Sequence, residues 1–342
     1  MTSISRQRSH EVACHVQEVR PSVSVAGTTN RPRVKRMTLI AAFRTKDGIA
    51  ICADSQETIT NDDGHEYRKT VPKITPINVS GYQLVIAGSS RNATLIEMFI
   101  IRAERRFAND IEGANINRAL LLLEDELAKF YTNDVPQGES IELFIAASCP
   151  ATKEYKVWIS YYHILKELVD VELVGWDEPL YRVTASRLYR KDMTLPQAIL
   201  AAVYVLVVGE ESSNYIKGPF SLAVVKENGI WIEDSSYIDD LKKRLKTLEE
   251  HTNTILLACA DTSIYSPILQ NTIAQFAATA KSLHEQYIEK AVAQSLIQGG
   301  GGNDAVSKVP PGIMVEILSS GKYIVHHDKD GRVEMVNCLW CN

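Results

Sequence analysis

Thr38-Leu39-Ile40-Ala41-Ala42-Phe43-Arg44-Thr45-Lys46-Asp47-Gly48-Ile49-Ala50-Ile51-Cys52-Ala53-Asp54-Ser55 is the stretch whose reading decides the fold. Residues 38 to 43 form a largely apolar run, residues 49 to 53 form another, and Asp47-Gly48 ends the turn between them. Two such runs flanking an Asp-Gly pair read as a β-hairpin. With the turn centred near Lys46, antiparallel pairing sets Thr38 opposite Asp54. Lys73 follows in Val71-Pro72-Lys73-Ile74-Thr75-Pro76-Ile77. A hydroxyl, a carboxylate and an ammonium then share one sheet end. If the amine of Thr38 is free, that set supports nucleophilic catalysis.

Outward from this hairpin the pattern continues. Tyr82 to Ala87 reads as a strand, and Gly88-Ser89-Ser90 as a turn. Asn92 to Arg106 has helical spacing, with Leu95, Ile96, Phe99 and Ile100 on one face, and Asn117 to Tyr131 repeats it. Ser140 to Ser148 and Glu154 to Tyr161 read as strands, with Leu173-Val174 as a further short one. Thr194 caps a helix with Pro196 in its first turn, and apolar residues fill that helix to Val208. Ser221 to Lys226 and Gly229 to Glu233 form a closing hairpin.

Residues 1 to 37 are different in kind. They are basic, with seven Arg or Lys facing only Glu11 and Glu18, and they show no sustained period. They read as an extension or propeptide without regular structure. Their lack of an apolar core excludes a secretory signal. Past residue 236, Leu241 to Glu250 and Ile268 to Ile297 read as helices, giving a helical extension over 237 to 298. Gly299 to Gly302 reads as a linker. Ile313 to Leu318, Tyr323 to His327 and Val333 to Val336 read as a small β-meander in the tail over 303 to 342.

Composition bounds the function. The chain has 342 residues, 45% hydrophobic and 23% charged, with a net charge of −5. That is ordinary for a globular protein, and the mild negative charge argues against a nucleic-acid binder. No apolar run approaches the roughly 18 residues of a membrane helix. Six scattered cysteines make no disulfide framework, which suggests a reducing, cytoplasmic setting. Cys338-Leu339-Trp340-Cys341, with His326 and His327 nearby, has zinc-ligand residue types but lacks a second paired motif. The expected reading is a tail with two thiols and no metal.

Three blocks resemble proteasome β subunits, within the N-terminal-nucleophile hydrolases: residues 38 to 55, Lys73-Ile74-Thr75-Pro76-Ile77, and Val85 to Ala93. A weaker match runs from Val174 to Glu233, so the resemblance spans roughly residues 38 to 236. It implies a hydrolase domain over 38 to 236 with an α+β, four-layer αββα sandwich. It implies a threonine peptidase that needs no cofactor, cleaves polypeptide substrates within a self-assembled homo-oligomeric ring, and can be served by an unfolding ATPase. Carried over by position, Thr38 Oγ is the nucleophile and its own α-amine the base. Lys73 supplies positive charge, Asp54 holds Lys73, and the Gly88 N–H receives the oxyanion. Glu210-Glu211-Ser212-Ser213 stands where the family has Asp-x-x-Ser, making Glu210 and Ser213 supporting residues with one added methylene. Val174-Gly175-Trp176-Asp177 puts Trp176 where the family has a supporting Ser. Val71, Thr75 and Ile86 would line the first specificity pocket, implying apolar residues before the cut.

Two other readings fit these residues. One is a non-catalytic structural subunit of the same type. The other is a small-amide hydrolase on the same nucleophile fold without a chamber. Met37 precedes Thr38, so the amine becomes free either by translation from Met37 with Met removal, or by cleavage between Met37 and Thr38.

Overall fold

The computed structural model describes residues 38–60, 65–90, 92–110, 113–175, 179–260, 266–298, 323–327 and 333–338. Within them the chain is a mixed α/β fold of antiparallel sheets and helices. The first sheet has the order β10-β1-β2-β11-β12, from Val171–Gly175, Leu39–Arg44, Ile49–Ala53, Ser221–Lys226 and Gly229–Ile232. The second has the order β5-β6-β7-β8-β9, from Ile74–Val79, Tyr82–Ser90, Ile141–Cys149, Glu154–Tyr161 and Ile164–Glu167. A separate hairpin, β3 (Gln56–Thr60) with β4 (Glu66–Thr70), grows out of the end of β2.

The apolar runs are continuous because both faces of the central strands are covered. From β1 and β2, Leu39, Ala41, Phe43, Ala50 and Cys52 pack under helix α4 (Leu195–Ser212). The alternate residues Ile40, Ala42, Ile49, Ile51 and Ala53 meet Val85, Ala87, Phe144 and Ala146 of the second sheet. The remaining face of that sheet, with Leu84, Ile86, Leu143 and Ile145, packs on α1 (Ala93–Ala108) and α2 (Ile116–Asn133). The two sheets therefore face each other, with helices on both outer faces.

Helix α4 is long and apolar enough, by composition, to cross a membrane. Most of it is buried on the first sheet, beneath α3 (Pro179–Leu188) and α5 (Ser235–Ala260). α5 runs well beyond its expected bounds and pairs with α6 (Ser266–Gln298), so the helical extension packs partly on the domain core. In the tail, β13 (Tyr323–His327) pairs with β14 (Val333–Cys338), as two strands of the expected meander. Its first strand, Ile313 to Leu318, lies outside the described residues.

The β1–β2 register corrects the expected pairing. The turn takes the four residues Thr45 to Gly48, with Arg44 opposite Ile49 and Ile40 opposite Ala53. Asp54 therefore lies across from Leu39, one residue beyond Thr38: its N–H donates to Leu39 O at 3.2 Å. Thr45 fixes this turn, accepting no slack, because its N–H and hydroxyl both donate to Gly48 O at 2.9 Å. A Cβ on Gly48 would lie 2.7 Å from Val225 O, so the close approach of β11 requires glycine there.

Candidate active site

Asp54 leaves the end of β2 with its side chain fully buried, and it is clasped from several sides. Lys73 Nζ donates to both carboxylate oxygens at 2.8 Å. Leu39 N–H donates to Oδ1 at 2.9 Å, and Gln56 N–H to Oδ2 at 3.2 Å. Lys73 gives a further bond to Gln56 O at 2.7 Å. Burial pushes the Asp54 carboxyl above its ordinary range, against the Lys73 charge and these hydrogen bonds. Burial likewise lowers Lys73, against the opposing pull of Asp54 and, more weakly, Glu57. The pair thus joins β2, the start of β1 and the segment leading into β5, and sets Lys73 beside the main chain that carries Thr38.

Thr38 is buried, at 8% exposure, and opens onto a cavity of about 180 Å³ with Lys73 and Gly88. Val71 and Thr75 line this cavity. Ile86 does not: it is fully buried in the core between the second sheet and α1 and α2. The lining is also not neutral, because it includes Glu57 from β3 and Glu97 from α1. Neither belongs to a recognised motif; the one sequence signal for Glu57 is its place three residues beyond Asp54, on the strand leaving the site.

A Cβ on Gly88 would fall 2.7 Å from Leu143 Cδ2 and 3.1 Å from Ile96 Cγ2, so both side chains would have to shift. The Gly88 N–H is turned to Lys73 O at 3.4 Å, the long limit of a hydrogen bond, and not into the cavity. Gly175, at φ +100°, backs Thr38: a Cβ there would lie 2.0 Å from Thr38 O and 3.3 Å from Ser89 Oγ. Ser89 thus places a hydroxyl close to the Thr38 main chain. Trp176, expected in the supporting position, is outside the described residues.

Glu210 and Ser213 are occupied elsewhere. Lys242 and Lys246 of α5 hold the Glu210 carboxylate at 2.6 and 2.8 Å. Ser213 caps the C-terminus of α4, its Oγ accepting from Tyr215 N–H at 3.1 Å. The carboxylate is therefore spent on docking the helical extension, for which its extra methylene gives reach. Among the described residues no His, Cys, Asp or Glu group is arranged to hold a metal. His326 and His327 lie in β13 and Cys338 ends β14, while Cys341 is outside the described residues.

No protein-family model matches the chain, and no curated protein matches it. Solved structures do. Anbu (ancestral beta-subunit) from Yersinia bercovieri is 16% identical with a TM-score of 0.51, covering 67% of this chain and 99% of that one. The helical assembly of the Anbu complex from Pseudomonas aeruginosa is 15% identical with a TM-score of 0.52, covering 67% and 99%. The Gly-1 mutant of Anbu from Hyphomicrobium sp. strain MC1 is 14% identical with a TM-score of 0.52, covering 64% and 99%. These findings overturn the assignment to proteasome β subunits made from the motifs. The similar structures are Anbu proteins, a distinct family, and at this identity the likeness establishes the fold alone.

Proposed function

We propose that the chain is an N-terminal-nucleophile hydrolase of peptide bonds, built on a four-layer αββα sandwich, with Thr38 as its nucleophile. The observation that carries this reading is the buried Lys73–Asp54 pair. Asp54 Oδ1 holds both Lys73 Nζ and the N–H of Leu39, the residue next to Thr38, at the wall of a cavity that Thr38 itself lines.

Thr38 Oγ attacks the carbonyl carbon, and its proton passes to the α-amine of the same residue, directly or through water. An α-amine titrates near 7.7 to 8, so it is a competent base near neutrality. Lys73 stabilises the alkoxide and, by its charge, lowers the amine's proton affinity. The tetrahedral oxyanion takes the Gly88 N–H, which exchanges a long bond to Lys73 O for one to a full charge. Collapse expels the amine leaving group, which carries off the proton, and leaves an ester on Thr38. Water then hydrolyses that ester. In this reading Ser89 substitutes for the supporting serine, while Glu210 and Ser213 act only through the position of α4.

The working form is a homo-oligomer, and a closed ring is the arrangement that would enclose the cleft. The helical assembly of the Pseudomonas aeruginosa Anbu complex supports association of copies. Labelling of Thr38 by a threonine-directed electrophile, read by peptide mass, tests the nucleophile. Native mass tests the assembly. A non-catalytic subunit is the second reading, favoured by the turn of the Gly88 N–H toward Lys73 O. Failure of the electrophile to label a chain whose N-terminus is Thr38 would select it.

A further inference from the structure

Two acidic residues that the proposed chemistry does not use, Glu57 and Glu97, are among those lining the cavity beside Thr38. Glu57 projects from β3 and is 6% exposed; Glu97 stands on α1 and is exposed. Lys73 is already claimed by both oxygens of Asp54. Val71, Pro72, Ala93, Ile96 and Ile100 give the wall an apolar stretch, beside the polar residues Gln56, Thr58, Thr75 and Ser90. Lys69 lies directly opposite Glu57 in the β3–β4 ladder, and its Nζ is 2.9 Å from Glu57 Oε2. Yet the Lys69 side chain is 51% exposed, so this ammonium reaches Glu57 from the solvent side.

A long aliphatic stem ending in a cation suits such a cavity, with the stem on the apolar wall and the head at a carboxylate. Lys69 demonstrates that Glu57 accepts an ammonium. We infer that the cavity receives the side chain of a lysine or arginine immediately before the cleaved bond, with Glu57 as the specificity-determining residue and Lys69 as a counter-ion that substrate displaces. The inference rests on the hydrolase reading of Thr38 and replaces the apolar preference expected from sequence. Exchanging one ammonium for another keeps the Glu57 pair intact and returns Lys69 to water. An apolar side chain has to share the cavity with that pair, and an acidic one meets like charge from both walls.

Binding of cleavage-product peptides reads the cavity without turnover. Fluorescent peptides identical except for a C-terminal lysine, leucine or glutamate are titrated against the full chain, followed by anisotropy. Lysine is expected to bind about tenfold tighter than leucine, the scale of one favourable charge contact, and glutamate weakest. Glu57→Gln should collapse the lysine-to-leucine ratio. Lys69→Ala, an exposed change that leaves Glu57 in place, should widen it, whereas a merely structural role for the pair would narrow it. Equal affinities, tighter leucine, or a ratio that Lys69→Ala narrows or leaves unmoved would overturn the inference. Turnover of matched substrates is measured in parallel. Intact lysine selectivity without turnover would defeat the hydrolase reading and leave the pocket assignment standing.

Discussion

Gly175 has no room for a side chain because Thr38 is there: a Cβ on Gly175 would lie 2.0 Å from Thr38 O. β10 and β1 pair with Leu39 opposite Gly175, so this contact is fixed by the ladder and not by a flexible loop. Gly175 also has φ +100°, where a side chain is strained whatever the space. Gly175→Ala should therefore displace the Thr38 main chain from its place at the cavity it lines with Lys73. The expected result is a loss of stability of about 1–3 kcal/mol, with electrophile labelling of Thr38 slowed at least about tenfold, since small misplacements of a nucleophile are costly. Denaturant titration and labelling rate measure the two. Labelling at the wild-type rate would show that the contact does not position Thr38.

The Lys73–Asp54 pair makes a coupled prediction. Both side chains are buried, so removing one leaves the other's charge without its partner. Lys73→Met should cost about 3–5 kcal/mol of stability, in addition to abolishing turnover. Asp54→Asn with Lys73→Met removes both charges and should recover much of that stability while recovering no turnover. Comparing denaturation midpoints with peptidase rates separates the structural part from the chemical part. A double variant that regains activity with its stability would show that the pair only supports the fold.

Much of this architecture is legible in the chain because both sheets are buried on two faces. Continuous apolar runs such as Ile40–Phe43 and Leu143–Ala147 mark their strands without ambiguity, and Glu154–Tyr161 and Ser221–Lys226 emerge at their observed bounds. The β3–β4 hairpin escaped notice because Gln56–Thr60 and Glu66–Thr70 are polar and lie outside the two main sheets. That omission hid Glu57, the cavity's buried acid. The one-residue register difference at Thr38 arose because turn length, not apolar pattern, sets hairpin pairing when both faces are buried. The pairing of Glu210 is not legible in sequence for another reason. Its role depends on Lys242 and Lys246, which are remote in sequence and belong to a helix outside the recognised motifs.

Glu210 links the helical extension to the domain core in a pH-dependent way. Burial raises its carboxyl, but the hydrogen bonds and charges of Lys242 and Lys246 outweigh this and hold it below its ordinary 4.5. Glu211, on the same helix, also approaches Lys246, at 3.7 Å. A depressed folded-state value means that the folded chain binds the proton less readily than the unfolded chain. The stabilisation is therefore fully present above the ordinary glutamate value, and it fades as pH falls through the lower folded value. Glu210→Gln should lower stability near neutrality and flatten the acid limb of the stability curve below about pH 5. Thermal melts of both proteins from neutral pH downward measure this. Identical acid limbs would show that the lysines do not hold Glu210 in solution.

The amine of Thr38 must be free for the proposed chemistry, and its surroundings are arranged to keep the residue in place once it is. Leu39 is tied to Asp54 through its N–H and its carbonyl, and Gly175 closes on Thr38 O from β10. Loss of the segment before Thr38 leaves each of these contacts on residues 38 and 39. Met37 precedes Thr38, and a small second residue permits removal of an initiator Met. Translation from Met37 and cleavage between Met37 and Thr38 thus lead to the same mature end. We expect the intact mass of the protein from its native cell to begin at Thr38. The two routes separate in a Thr38→Ala variant. Self-cleavage needs the Thr38 hydroxyl, so that variant would keep residues 1 to 37, whereas translation from Met37 gives a chain lacking residues 1 to 36 regardless of residue 38. A wild-type chain that retains the whole extension in its own cell would leave the amine blocked, and the non-catalytic subunit would then be the correct reading.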